Sequence, residues 1–149
     1  MAMTALPVSE VEIQEFLAAF ESGTLPKARW THAAHLLTGA CYVHGLGEEA
    51  AIEQMRGAVR RYNEAVGGQN TSTSGYHETI TVFWIKVLAV LLASEAMMSR
   101  AEFAACAVER YTQARSLFRG FYDFDIVAST EARRVWIEPS LKRIEAANL

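Results

Sequence analysis

The sequence predicts an all-α fold, a compact helical bundle of about five main helices with short C-terminal helices, forming a single helical domain over residues 1–149. Apolar residues recur at the three-and-four spacing of an amphipathic helix through most of the chain. Capping residues such as Ser9, Thr31 and Ser99 precede those runs, and glycines or proline follow them. Hydrophobic residues make up 51% of the chain and charged residues 21%, a balance that supplies a core and excludes a disordered chain.

The first helix is expected to start at Ser9. Glu12 stands three residues on, completing a capping box, and Val8 and Ile13 are spaced as a hydrophobic staple. Ile13, Phe16, Leu17 and Phe20 form its inner face, and Gly23 and Pro26 end it. Thr31 caps a second helix that runs to about His44, where Gly45 and Gly47 break it. Being apolar nearly all round, this helix is placed at the centre of the bundle.

In the third helix Ile52, Met55, Val59, Tyr62 and Val66 repeat on one face. Its glutamates (48, 49, 53) come first and its arginines (56, 60, 61) last, the order that the helix dipole favours. Gly67 to Gly75 is the most polar stretch and reads as a loop. A fourth, apolar helix then runs from near Tyr76 to about Ser94. Ser99 and Glu102 form a second capping box, with Met98 and Phe103 as its staple, for a fifth helix over 99–111. Short helices are expected at Gln113–Phe118 and Ile126–Val135, and Pro139 is read as the end of the ordered part.

Several function classes are excluded by this reading. The net charge is −3 and the arginines at 56, 60, 61, 110, 115, 119, 133 and 134 are dispersed among glutamates, so they read as solvated helix faces and no nucleic-acid partner is expected. The longest apolar run, Ile80 to Ala93, is too short to cross a bilayer, so no membrane partner is expected. The opening residues MAMTALPVSEVE lack a signal pattern. Cys41 and Cys106 lie in apolar stretches, as core thiols of a reducing compartment do. Both features predict a cytoplasmic protein.

Chemistry concentrates in two short segments. His32 and His35 lie three residues apart in Trp30-Thr31-His32-Ala33-Ala34-His35 and share a helix sector with Leu36, Gly39 and Val43. Gly39 is expected to leave space one turn below the rings, and His44 falls about 120° away and is set aside. His77 opens the fourth helix and shares a face with Thr81, Trp84 and Leu88, with Glu78 beside it. If the two helix starts are neighbours, His32, His35 and His77 converge at one end of the bundle. Three neutral imidazoles and a carboxylate suit zinc or ferrous iron. Glu78 is then fourth ligand or catalytic base, and Thr79 and Thr81 orient the ligands. The same histidines also fit structural hydrogen bonds to carbonyls, a tyrosine or Glu78.

Other candidates are Lys86, read as a desolvated nucleophile or base or as a snorkelling side chain, and Arg133, read as an anion-binding fork or a partner of Asp123 or Asp125 that pins the tail.

The segments Trp30-Thr31-His32-Ala33-Ala34-His35 and Tyr76-His77-Glu78-Thr79-Ile80-Thr81 resemble the aromatic-Thr-His-x-x-His and Tyr-His-Glu-Thr-x-Thr motifs of a family of small, functionally uncharacterised bacterial all-helical proteins. Tyr122, Ser129-Thr130-Glu131-Ala132-Arg133 and Pro139 resemble that family's ending, whereas Ile137-Glu138-Pro139-Ser140 departs from its more Pro-Asp-like form. The resemblance covers most of the chain from Trp30 onward and implies a shared site of His32, His35, His77, Glu78, Thr79 and Thr81, with no reaction attached. Three readings follow for that pocket, in which Tyr76 and Arg133 also take part. The first is a divalent-metal enzyme acting on a small molecule. The second is a metal-free small-ligand binding protein. The third is a homodimeric interaction module joined through Phe118, Phe121, Tyr122 and Phe124.

Overall fold

The computed structural model describes residues 5–95 and 98–149. Among the described residues six helices follow in order: α1 (Glu10–Glu21), α2 (His32–Leu46), α3 (Glu48–Ala65), α4 (Glu78–Ser94), α5 (Arg100–Tyr111) and the short α6 (Thr130–Arg134). Single 3₁₀ turns lie at Lys27–Arg29, Leu117–Gly120 and Ala146–Asn148, and there is no strand among the described residues.

Local chemistry sets the helix starts. Ser9 and Ser99 each accept from the backbone N–H three residues on, and Glu12 and Glu102 return the bond to the cap backbone, so both capping boxes form. Thr31 Oγ1 accepts from Ala34 N–H at 3.2 Å and starts α2. Val8 does not act as a staple, because it is 71% exposed while Ile13 is buried. Helix α2 runs through Gly45 and ends at Gly47, where φ of +85° suits glycine.

The core forms around α2, which packs against α3, α4 and α5, while α4 packs against α2, α3 and α6. Ile13, Phe16 and Phe20 of α1, Leu36, Leu37 and Ala40 of α2, Phe83 and Leu88 of α4, and Phe103 of α5 are all buried there. Gly39 lies where α2 meets α4 and lines a cavity beside His32 and His35. A Cβ there would lie 2.9 Å from Leu88 Cδ1 and 3.3 Å from Ile85 Cδ1, so the helices use its missing side chain for close approach.

The C-terminal third departs from the expected pattern. Residues from Thr112 form a turn and the 3₁₀ turn Leu117–Gly120 in place of a helix over Gln113–Phe118. The helix expected over Ile126–Val135 shortens to Thr130–Arg134, capped by Ser129. Order continues past Pro139. Ser140 and Leu141 both donate to the Phe121 carbonyl at 3.0 Å, and Ile144 and Leu149 pack on the core. Phe118, Phe121 and Tyr122 are buried inside the chain, so of the four aromatics assigned to a dimer surface only Phe124, 42% exposed, is available for one.

Candidate functional site

Two cavities divide the residues that the sequence had grouped together. The first, about 620 Å³, is lined by His32, His35, Thr81 and Arg115 over an apolar floor that includes Trp30, Leu36, Trp84 and Leu88. The second, about 760 Å³, is lined by Tyr76, Glu78 and Arg133 together with Arg56, Arg60, Arg134 and Trp136. His77 and Thr79 line neither.

In the first cavity each imidazole is fixed by a backbone carbonyl and an indole. His35 Nδ1–H donates to the Thr31 carbonyl at 2.8 Å, and its ring lies 4.0 Å from that of Trp30, which stacks in turn on Phe20 at 4.2 Å. His32 Nε2–H donates to the Tyr111 carbonyl at 3.1 Å, and its ring meets Trp84 edge-on at 5.2 Å. A carbonyl only accepts, so these bonds assign the tautomers. The lone pairs rest on His32 Nδ1 and His35 Nε2, and neither atom has a hydrogen-bond partner among the described residues. Burial lowers the pKa of His35 to about 4, against the raising effect of the Thr31 bond, with the charges of His32 and Arg115 lowering it further. Burial also lowers that of His32. Both rings are therefore neutral at pH 7.

His77 stands elsewhere. Its Nδ1 accepts from Ile80 N–H at 3.2 Å, which makes it the side-chain cap of α4. Nε2 must then carry the proton, and it donates to the Ile126 carbonyl at 2.8 Å. Both nitrogens are occupied, so no lone pair remains for an ion. The backbone turn that delivers this segment depends on Gly75, whose φ of +79° and close approach to the Gln69–Asn70 backbone admit no side chain.

Glu78 is held at three points. Arg56 Nε donates to Oε1 at 3.0 Å and Arg56 Nη2 to Oε2 at 2.6 Å, while the buried Tyr76 hydroxyl donates to Oε1 at 2.7 Å. Burial raises the pKa of Glu78, but the bonds from Arg56 and Tyr76 and the charges of Arg56 and Arg60 outweigh it and leave the carboxyl below its ordinary range. A carboxylate so stabilised is a weak base. Burial and the neighbouring carboxylate push the Tyr76 hydroxyl up, so it remains a donor at pH 7.

The convergence expected of His32, His35, His77 and Glu78 is therefore absent from the fold. Among the described residues no group of three or more His, Cys, Asp or Glu side chains is arranged to hold a metal ion. Thr79 also differs from its expected role beside a metal: its hydroxyl donates to the Val135 carbonyl at 2.8 Å and accepts from Ile137 N–H at 3.1 Å, tying α4 to the C-terminal segment. Thr81 lines the first cavity, as a neighbour of His32 and His35. Arg133 pairs with neither Asp123 nor Asp125; its Nη1 donates to the Gly75 carbonyl at 2.8 Å and to that of Tyr76 at 3.3 Å. Lys86 pairs with Glu48 at 2.9 Å.

Arg56, Arg60, Arg115 and Arg134, read from sequence as solvated faces, prove to line the cavities. Arg56 and Arg60 are four apart, so their common helix face was legible; the loop and α6 residues facing them across the cavity were not. No protein-family model matches the chain, and no curated protein or solved structure matches it.

Proposed function

We propose that the protein binds a small, metal-free organic ligand in the cavity of His32 and His35. The single observation that carries this reading is the pair of neutral imidazoles, each fixed through one nitrogen and each with its other lone pair unpartnered, in a cavity with an apolar floor. Such a cavity falls within the range of small-molecule sites, roughly 300–1,000 Å³. The apolar body of the ligand rests on Trp30, Trp84 and Leu88, and its hydroxyl or amine donates to His32 Nδ1 and His35 Nε2. Arg115, which also lines the cavity and has no carboxylate within ion-pair distance among the described residues, takes an anionic group. A hydroxylated aromatic carboxylate satisfies all three demands.

The test is titration of 4-hydroxybenzoate and a panel of related acids, read by calorimetry and by the imidazole ¹⁵N signals. Saturable binding with movement of the His32 Nδ1 and His35 Nε2 signals is expected. Arg115→Ala should weaken it by about tenfold or more, the effect of losing a hydrogen bond to a charged group. No saturable binding by any acid of the panel, or binding unchanged in Arg115→Ala and His35→Gln alike, would overturn the reading. Elemental analysis of the same protein after incubation with zinc or ferrous iron reads the alternative, a divalent metal on these two nitrogens and exogenous ligands, for which an enzyme role would then follow.

A further inference from the structure

We infer that the arginine-lined cavity at Tyr76 and Glu78 is a second binding site, for the phosphate monoester of a small polar molecule. The chain carries a net charge of −3, yet this cavity gathers Arg56, Arg60, Arg133 and Arg134 against only Glu78 and Glu131. Two positive charges are thus left in excess inside a concave site of ligand size.

The arginines are not equivalent. Arg56 is committed to Glu78 through both oxygens. Arg133 uses Nη1 on the carbonyls of Gly75 and Tyr76. Arg60 lies over the Tyr76 ring with Cζ 5.7 Å from its centroid, and neither Arg60 nor Arg134 has a side-chain hydrogen bond or ion pair among the described residues. Two guanidinium forks therefore face the cavity with their donors unused, and Arg133 adds those that its carbonyl bonds leave over. One carboxylate, with two oxygens and one charge, answers a single fork. The monoester has three terminal oxygens and close to two charges at pH 7, which answers both forks and the local excess. Ser72, on the loop that lines the cavity, offers a hydroxyl to the polar remainder of such a molecule, while Thr71 Oγ1 holds that loop by accepting from Thr73 and Ser74 N–H.

Arg56–Glu78–Tyr76 is the positioning element of this site. It keeps Tyr76 beneath Arg60 and neutralises the carboxylate that would otherwise repel an anion. This assignment is independent of the histidine cavity, because the two linings share no residue.

Glycerol 3-phosphate is the probe, with succinate and sodium chloride at matched ionic strength as comparators, followed by calorimetry and by the arginine Nε–Hε signals. Saturable binding of glycerol 3-phosphate, tighter than succinate, is expected. It should weaken about tenfold or more in Arg134→Ala and in Arg60→Lys, which keeps the charge and removes the fork. Arg115→Ala should leave it unchanged, which separates failure here from failure at the histidine cavity. Binding no stronger than the chloride effect at ~10 mM, tighter binding of succinate, or unaltered affinity in both Arg60→Lys and Arg134→Ala would each overturn the assignment. If Arg60→Lys disturbs the fold by circular dichroism, Arg134→Ala alone decides.

Discussion

Arg56 of α3 grips Glu78 of α4 by two parallel hydrogen bonds, at 3.0 and 2.6 Å, across 22 residues of sequence. The carboxylate is nearly enclosed, with a side-chain exposure of 10%, while Arg56 stays 41% exposed. The pair therefore clamps the first turn of α4 onto α3 from the solvent side, and Tyr76 completes it from within.

Removing the carboxylate leaves a buried tyrosine hydroxyl without its acceptor. Glu78→Ala is expected to lower stability by about 2 kcal/mol, the penalty of an unmet buried polar group, read as a shift in the urea midpoint. Because the folded-state pKa of Glu78 lies below its ordinary value of 4.5, its contribution is fully present above that pH. It is lost as pH falls through the lowered value. The difference between Glu78→Ala and the parent should thus shrink in acid; a constant difference from pH 7 to pH 3 would contradict the pairing.

The histidines act in a different acid window. His35, His32 and His77 all have lowered folded-state pKa values, chiefly through burial. Below 6.5 the unfolded chain takes up protons that the folded chain refuses, and for His35 this continues to about 4. Stability is accordingly full above 6.5 and falls as pH drops toward 4. A loss on the order of 1–2 kcal/mol between pH 7 and pH 5 is expected, most of it from His35. His35→Gln should flatten that slope in denaturation curves taken at successive pH values, and an unchanged slope would show that burial does not govern this ring.

His77 should behave as a structural pin. It caps α4 through Ile80 N–H and holds the Ile126 carbonyl, just before Val127 of one cavity and Thr130 of the other. His77→Ala is expected to cost about 2 kcal/mol through a lost cap and an unmet buried carbonyl. With both nitrogens engaged, the substitution should leave the zinc or iron content of the protein, measured by elemental analysis, unaltered. A metal present in the parent and absent from His77→Ala would restore this histidine to a metal site.

Helix positions and starts were legible in the sequence because they depend on groups within four residues of one another. Ser9 with Glu12, Thr31 with Ala34, and Ser99 with Glu102 meet through backbone geometry alone, whatever the rest of the chain does. The capping bond from Ile80 N–H to His77 Nδ1 is of the same local kind. It could have been read as a structural role, had the histidine not stood so conspicuously near a second pair. The short C-terminal elements were less legible, since Ser140, Leu141 and Thr79 order them through bonds to distant backbone.

Which residues share a cavity was decided by tertiary packing. Close approach of α2 and α4 at Gly39, the clamp between Arg56 and Glu78, and the reach of His77 to Ile126 join positions that are 22 to 49 residues apart or lie on different helices. A helix wheel gives each side chain's direction about its own axis, but not the rotation and offset of one axis against the next. Packing against Trp84 and Tyr111 and against Trp30 made His32 and His35 neutral acceptors, and the packing of α3 and α6 on α4 brought Arg56, Arg60, Arg133 and Arg134 to one cavity.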